Sequence, residues 1–168
     1  LLALMSSENR AAASLARTYP GGTDAFVAVM NERARTLGMT DSRFVDATGL
    51  SSANVASAQD LGRLVHAAYA HPVIREYSTR ESARVQVFGR SLDYRNTNGL
   101  VRGGTWDIAL SKTGYISEAG RCLVMRARVA GKDLVVVLLD SWGKFSRVGD
   151  ANRIRKWVET NLSPGRRG

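Results

Sequence analysis

Cysteine and long apolar stretches are scarce in this sequence, and each shortage excludes a class of protein. Cys122 is the only cysteine among 168 residues, so neither a disulfide framework nor a cysteine-based metal site can form within one chain. No stretch approaches the roughly eighteen apolar residues that a membrane-spanning helix needs. Because the apolar residues Leu123, Val124 and Met125 follow Cys122, we expect it to be a buried and unreactive thiol.

Histidine is equally scarce, which limits the hydrolytic sites that the chain could build. His66 and His71 lie five residues apart and do not form the H-E-x-x-H pattern of zinc peptidases, so no metal site is predicted. The sequence has no G-x-S-x-G motif, and neither histidine has a catalytic motif around it. A Ser-His-Asp hydrolase is therefore not indicated.

Positive charge is abundant but dispersed along the chain. The formal net charge of +9 would suit a nucleic-acid partner, because a basic surface attracts phosphates. Lysine and arginine cluster only in short groups at 126–128, 153–156 and 166–167, and no aromatic stacking platform lies among them. We expect a solvated basic surface and no nucleic-acid partner.

The first 80 residues are predicted to be mainly helical. Apolar residues recur near helical spacing between residues 24 and 37, with Thr23 or Asp24 placed to cap that helix. Ser57 opens a sequence with the spacing of a capping box, which predicts another long helix that stops before Pro72.

From about residue 81 the pattern changes to strands. Alternating apolar residues predict a hairpin over residues 83–94. Three further runs, at 106–115, 121–129 and 134–140, are joined by short turns and predict an antiparallel meander. The run at 134–140 does not alternate, so we expect this strand to be buried on both faces in the middle of the sheet.

The last part of the sequence is predicted to form a helix and a tail. Apolar residues at Phe145, Val148, Ile154 and Val158 predict a helix that starts near Gly143 and packs on the sheet. The predicted fold class is therefore α+β, with a mainly helical part over 1–80 and a sheet with a C-terminal helix over 81–160. Residues 161–168 are expected to form a frayed tail.

Two short motifs lie within this framework. Ser7-Glu8-Asn9 has the pattern S-x-N, and Lys112-Thr113-Gly114 has the pattern K-T-G. Taken alone, the first motif fits ordinary helix capping, because serine and asparagine favour helix N-termini. Together and in this order, the motifs resemble the second and third motifs of the penicillin-binding proteins and serine β-lactamases. The connecting segments agree with the resemblance, at Leu37-Gly38-Met39, Phe44, Gly49-Leu50, Ala58-x-Asp60-Leu61, Asn96-Thr97-Asn98 and Ala119-Gly120.

The resemblance runs from residue 1 to about 159 and is to peptidase family S11, the low-molecular-mass D-alanyl-D-alanine carboxypeptidases and endopeptidases. The opening segment around Ser7 is most like the endopeptidase branch. The resemblance implies the C-terminal part of a β-lactamase-like fold, with an incomplete peptidase domain over 1–160. It also implies a periplasmic serine-type hydrolase that needs no cofactor and no metal, acts on peptidoglycan peptides through an acyl-enzyme, and binds β-lactam antibiotics when complete.

The resemblance implies catalytic roles for three residues. The hydroxyl of Ser7 would pass a proton towards the departing nitrogen of the cleaved amide. Asn9 would hold the substrate's amide chain or the lysine partner of the nucleophile. Lys112 would tune the pKa values of neighbouring amines and hydroxyls through its positive charge.

Three further residues would bind the substrate. By the same resemblance, Thr113 would bond a carboxyl or carbonyl group of the substrate, and Gly114 would let the substrate backbone approach the strand edge because it has no side chain. The backbone N–H of Tyr115 would be one of two donors to the oxyanion.

The family nucleophile has no counterpart in these residues. It lies in an S-x-x-K motif several tens of residues before S-x-N, whereas this chain begins six residues before Ser7. S-x-x-K occurs only at 141–144, at a strand end after K-T-G, which is the wrong element and the wrong order. The family's strands beside 134–140 are also lacking, so we expect an open apolar edge there. We expect either a C-terminal fragment or a chain that pairs with a complementing N-terminal fragment or a second copy.

Three functions stay open on the sequence. The first is a peptidoglycan peptidase, endopeptidase over carboxypeptidase, without its nucleophile; a serine β-lactamase is a variant for which no water-activating carboxylate is identified. The second is a non-catalytic fragment that binds peptidoglycan peptides or a partner. The third is a nucleic-acid-binding module, which would show strongly salt-dependent binding to DNA.

The lack of a nucleophile motif generates a direct prediction. Residues 1–168 alone form no covalent adduct with penicillin, because no motif serine is available for acylation. Incubation with labelled penicillin followed by measurement of the intact mass checks this. An adduct on the isolated chain would show that the nucleophile lies within these residues.

Overall fold

The computed structural model describes residues 1–143 and 145–162, whose helices and strands confirm the α+β class. The helices are α1 (Leu2–Met5), α2 (Asn9–Arg17), α3 (Gly22–Thr36), α4 (Ala58–Tyr69), α5 (Pro72–Thr79), α6 (Gly99–Arg102) and α7 (Ser146–Asn161). The strands are β1 (Ser82–Val87), β2 (Arg90–Arg95), β3 (Asp107–Ile116), β4 (Gly120–Val129) and β5 (Lys132–Ser141). Within these ranges no helix combines the length and the apolar character needed to cross a membrane. Most of the predicted tail, from residue 163, lies outside the described residues.

The start of α3 differs from its prediction. Gly21, rather than Thr23 or Asp24, occupies the N-cap position, and its φ of 86° lies in the left-handed region that glycine adopts without strain. A Cβ atom at Gly21 would also lie 2.8 Å from the Cβ of Ala25. The helix therefore begins at Gly22, two residues earlier than predicted.

The helix α4 begins and ends as predicted, but only half of its capping box forms. Ser57 Oγ accepts a hydrogen bond from the backbone N–H of Asp60 at 3.2 Å. The Asp60 carboxylate does not return to Ser57; it accepts from the Asp41 N–H and the Ser42 hydroxyl, each at 2.8 Å. The buried Asp60 thus fastens the segment after α3 to α4.

The helix α5 is additional to the predicted helices, because Pro72 by itself indicates only the end of α4. Proline is well suited to the first turn of a helix, where its fixed φ fits and its missing N–H would have no partner. One proline therefore ends α4 and starts α5, which packs against β3.

The sheet confirms the predicted meander, with strand order β3-β4-β5 and antiparallel pairing throughout. The predicted hairpin is a separate two-stranded sheet of β1 and β2. The prediction that the last strand lies in the middle of the sheet is wrong for these residues, because β4 is central and β5 is an edge strand. Val135 and Leu139 on β5 are 41% and 38% exposed, which agrees with the expected open apolar edge.

Helices cover both faces of the sheet. One face of β4 presents Leu123 and Met125 to a core cluster that includes Ala151 of α7. From the opposite face, the Arg126 guanidinium stacks 3.8 Å from the ring centre of Tyr69 in α4. The helices α4 and α7 therefore lie on opposite sides of the sheet and hold its strands in place.

The apolar face of α7 is only partly as predicted. Val148, Ile154 and Val158 pack into the core cluster. Phe145 does not, because it precedes the first turn as the N-cap residue and remains 73% exposed.

Candidate active site

The turn between α1 and α2 directs Ser7 away from helix capping. Glu8 takes the N-cap position of α2, and its carboxylate accepts a hydrogen bond from the Ala11 N–H at 2.6 Å. Ser7 has a φ of 53°, an uncommon left-handed conformation for a residue with a side chain. Because Glu8 performs the capping that the sequence allowed for Ser7, the Ser7 hydroxyl is available to β3.

The two motifs, 105 residues apart in sequence, meet at this turn. Lys112 Nζ donates a hydrogen bond to Ser7 Oγ. The same amine donates to the carbonyl oxygen of Thr113 at 2.9 Å, and Ser7 Oγ lies 3.4 Å from that oxygen as a second donor. An amine and a hydroxyl in direct contact form a pair that can pass a proton between them.

The environment of Lys112 makes its amine easier to deprotonate. Burial, followed by the positive charge of Arg147, lowers the pKa of Lys112 from 10.5 to about 8. At neutral pH the amine is still mostly protonated, but its pKa is close to the range in which a group can both donate and accept protons.

The rest of the K-T-G motif lies along the same strand, β3. Thr113 is buried and donates its hydroxyl hydrogen to Thr97 Oγ1 at 2.6 Å. The carbonyl oxygen of Gly114 accepts from Arg147 Nη1 at 3.2 Å. The ring of Tyr115 is exposed and stacks with the Arg121 guanidinium at 4.4 Å. Because β3 is an edge strand of its sheet, an extended peptide can approach it.

A cleft of about 760 Å³ joins these residues. All six sequence-predicted site residues line it, including Asn9, which is exposed at the first position of α2. The facing wall comes from α3, α4 and the loop between them, with Met30, Phe44, Asp46, Ala47, Thr48, Gly49, Leu50, Asn54 and Leu64.

Side chains fix the backbone of the facing loop. The side-chain amide of Asn31 on α3 bonds both backbone groups of Phe44, donating to its carbonyl at 2.6 Å and accepting from its N–H at 2.8 Å. Asn54 Oδ1 accepts from the Val45 N–H at 2.7 Å, and the Asp46 carboxylate accepts from the Thr48 N–H at 2.8 Å. The loop therefore forms a fixed wall, held through its backbone at Phe44 and Val45.

Arg147 and Thr97 also line the cleft but are not among the predicted site residues. Arg147, in the first turn of α7, donates to the carbonyl oxygens of Gly114 and of Cys122, the latter at 3.0 Å. Burial lowers the pKa of Arg147, followed by the charge of Arg121. Nothing local distinguishes Arg147 from the other arginines, whereas Thr97 lay within a segment that carried the family resemblance.

Cys122 differs from its prediction. Cys122 is partly exposed rather than buried, and its Sγ lies 3.4 Å from the Ala119 carbonyl oxygen. It lies near the start of β4. Across the described ranges, no group of three or more histidine, cysteine, aspartate or glutamate residues is placed to hold a metal ion. Of the S-x-x-K sequence at 141–144, Lys144 is outside the described residues.

Known proteins resemble this chain in sequence over most of its length. The family model for D-alanyl-D-alanine carboxypeptidase, peptidase family S11, matches residues 1–143. D-alanyl-D-alanine endopeptidases from Pseudomonas aeruginosa and Escherichia coli are each 49% identical over 162 residues, covering 95% of this chain and 52% of the relative. The chain therefore spans about half the length of these relatives.

Solved structures show the same fold. A D-alanyl-D-alanine carboxypeptidase from Mycobacterium tuberculosis matches with a TM-score of 0.84 at 28% identity, over 97% of this chain and 63% of that one. Penicillin-binding protein D2 from Listeria monocytogenes, solved with cefotaxime bound, matches with a TM-score of 0.79 at 27% identity, over 92% and 62%.

The buried environment of Lys112 can be tested by titration. We expect its amine to titrate near pH 8, because burial disfavours the charged form. Carbon-13 NMR of labelled lysine follows the signal, which the Lys112→Met variant identifies. Arg147→Gln should raise the pKa of Lys112 by removing a nearby positive charge, whereas Arg17→Gln, on the exposed part of α2, should leave it unchanged. A titration midpoint at the ordinary value of 10.5 contradicts the expectation.

Proposed function

We propose that this chain, which belongs to the D-alanyl-D-alanine carboxypeptidase family of peptidases (family S11), provides the S-x-N and K-T-G walls of a serine-type D-alanyl-D-alanine endopeptidase. The contact between Lys112 and Ser7 carries this proposal. It joins both motifs at one end of a cleft that is open to an extended peptide. The two relatives at 49% identity, both named endopeptidases, favour this branch.

The proposed reaction proceeds through an acyl-enzyme. A serine in an S-x-x-K segment gives its proton to the lysine of that segment and attacks the carbonyl carbon of D-alanine, and the carbonyl oxygen becomes an oxyanion. The amide C–N bond breaks as the departing nitrogen takes a proton from the Ser7 hydroxyl. The Lys112 amine can then give a proton to Ser7. Water then hydrolyses the ester and releases the free carboxyl group.

The remaining residues hold the substrate in this scheme. Gly114 lets the peptide backbone approach β3, and the N–H of Tyr115 donates to the oxyanion. The positive charges of Lys112 and Arg147, at the part of the cleft that Thr113 also lines, favour a carboxylate on the residue whose amine leaves. Asn9, exposed at the start of α2, orients the amide chain or the lysine of S-x-x-K.

The finer attributes of the family follow as parts of the proposal. The substrate is the peptide portion of peptidoglycan, and the place of action is the periplasm, where that polymer is accessible. β-Lactams inhibit the complete enzyme by acylating the nucleophile; the fold shared with a cefotaxime-bound penicillin-binding protein supports this.

A non-catalytic role is the second candidate. The single S-x-x-K sequence of this chain follows K-T-G instead of preceding S-x-N. On this alternative the cleft binds peptidoglycan peptides or a partner without turnover.

The free edge of β5 supports a proposal about partners. Its outer side has no strand neighbour among the described residues, and Val135 and Leu139 are exposed there. An apolar edge of this kind pairs readily with another strand. We propose that a complementing N-terminal segment or a second copy of the chain occupies it.

The activity is tested on the natural full-length protein. We expect it to convert cross-linked peptidoglycan dimers into monomers faster than it removes the terminal alanine from peptides ending in D-Ala-D-Ala. Chromatography with mass detection separates the two products. Release of terminal alanine alone contradicts the endopeptidase preference, and binding of both substrates without cleavage favours the non-catalytic alternative.

A variant of Lys112 tests the contact that carries the proposal. Lys112→Ala should lower kcat by about a hundredfold or more, because the proton transfer to the departing nitrogen loses its support. Lys132→Ala, at the exposed first residue of β5, is the matched control and should keep full activity. Equal activity of the two variants would remove Lys112 from the mechanism.

The edge of β5 is tested on residues 1–168 alone. We expect this chain to self-associate as its concentration rises, and Val135→Lys to weaken the association because a charge on an edge strand opposes pairing. Leu15→Lys, at an exposed apolar position on α2, is the control. Sedimentation velocity measures the association, and a monomer at every concentration contradicts pairing between copies.

A further inference from the structure

The segment between β2 and α6 is clamped on both sides of Thr97. Asn96 Nδ2 donates to the carbonyl oxygens of Ser78 and Arg80, each at 2.9 Å. Asn98 Nδ2 donates to Ser111 Oγ on β3 at 2.8 Å. Both asparagines are 3% exposed, so these bonds are shielded from water. The backbone position of Thr97 is therefore fixed relative to β3.

From this position Thr97 contacts both α1 and β3. Its backbone N–H donates to the Met5 carbonyl oxygen at 3.1 Å, two residues before Ser7. Its side-chain oxygen lies 2.6 Å from Thr113 Oγ1. Unlike its neighbours Asn96 and Asn98, Thr97 is partly exposed, and it lines the cleft.

The hydrogens of the two hydroxyl groups decide which threonine can donate to a ligand. Each threonine hydroxyl has one hydrogen. Thr113 donates its hydrogen to Thr97 Oγ1, and only 8% of Thr113 is exposed. In this arrangement the hydrogen of the Thr97 hydroxyl is bonded to no acceptor among the described residues, and Thr97 is the partly exposed member of the pair.

We propose that Thr97 is a substrate-binding residue whose hydroxyl donates to the carboxylate on the residue whose amine leaves. Thr113 then acts through Thr97 by holding its oxygen in place. This inference rests on the proposed function and deepens it, since it assigns the carboxylate contact to a residue outside S-x-N and K-T-G. The nearby Lys112 and Arg147 make this end of the cleft positive, which suits an anionic group.

The experiment compares Thr97→Val and Thr97→Ser in the natural full-length protein, on substrates with that carboxylate free or converted to a carboxamide. Valine keeps the shape of threonine and the backbone bond to Met5 but has no hydroxyl. We expect Thr97→Val to lower kcat/KM for the carboxylate substrate by roughly tenfold or more, as expected for the loss of a hydrogen bond to a charged group. Serine, which keeps the hydroxyl, should retain kcat/KM to within about threefold.

The carboxamide substrate separates binding from a structural effect. The wild type should lose activity on it, and Thr97→Val should lose little more, because the charged acceptor is already gone. The double variant with Thr113→Val should be no worse than Thr97→Val alone, since the two hydroxyls act as one unit. An equal loss on both substrates, or a lowered Tm together with low activity of Thr97→Ser, would assign Thr97 to the fold instead.

The wild type distinguishes this inference from the proposed function. An active wild type with an equally active Thr97→Val overturns only the role of Thr97. A wild type that cleaves neither substrate and forms no penicillin adduct overturns the proposed function, and with it the substrate contact of Thr97.

Discussion

A buried lysine amine is the constraint on which the arrangement of this protein depends. An ammonium group removed from water is costly unless polar partners surround it. Lys112 finds them in the Ser7 hydroxyl and the Thr113 carbonyl oxygen. Ser7 is available only because Glu8 caps α2 in its place. Hydrogen bonds to one amine thus hold the short turn between α1 and α2 against the strand β3.

Side-chain amides keep that contact in register. Asn96 and Asn98 tie the segment before α6 to α5 and β3, and the backbone of Thr97 between them reaches the end of α1 at Met5. Asn31 and Asn54 do the same for the loop on the facing wall. Each asparagine satisfies backbone groups that the loops cannot pair among themselves. The side of the cleft that carries the proposed site residues and the wall that faces it are therefore both held in place.

The sequence predicted what local patterns determine. Alternation and turns predicted the hairpin and the meander. The two motifs predicted the two places on the chain, around Ser7 and around Lys112, that meet in the cleft. The non-alternating run of β5 showed two apolar faces but not its neighbours, so its place at the sheet edge was missed. Arg147 was missed because its contact with Gly114 depends on how α7 packs, which no local pattern records. The roles given to Ser7, Asn9 and the residues of K-T-G remain predictions.

The two edges of the meander differ in chemistry, which separates their proposed partners. The edge at β3 has a buried amine, and its Gly114 lacks a side chain, so it suits a polar peptide that must approach the backbone and then leave. The edge at β5 exposes Val135 and Leu139, which suit a strand that remains bound. Because β4 separates the edges, a strand paired with β5 does not compete with a substrate at β3. Pairing at β5 would therefore leave the strand that carries Lys112 open to a substrate.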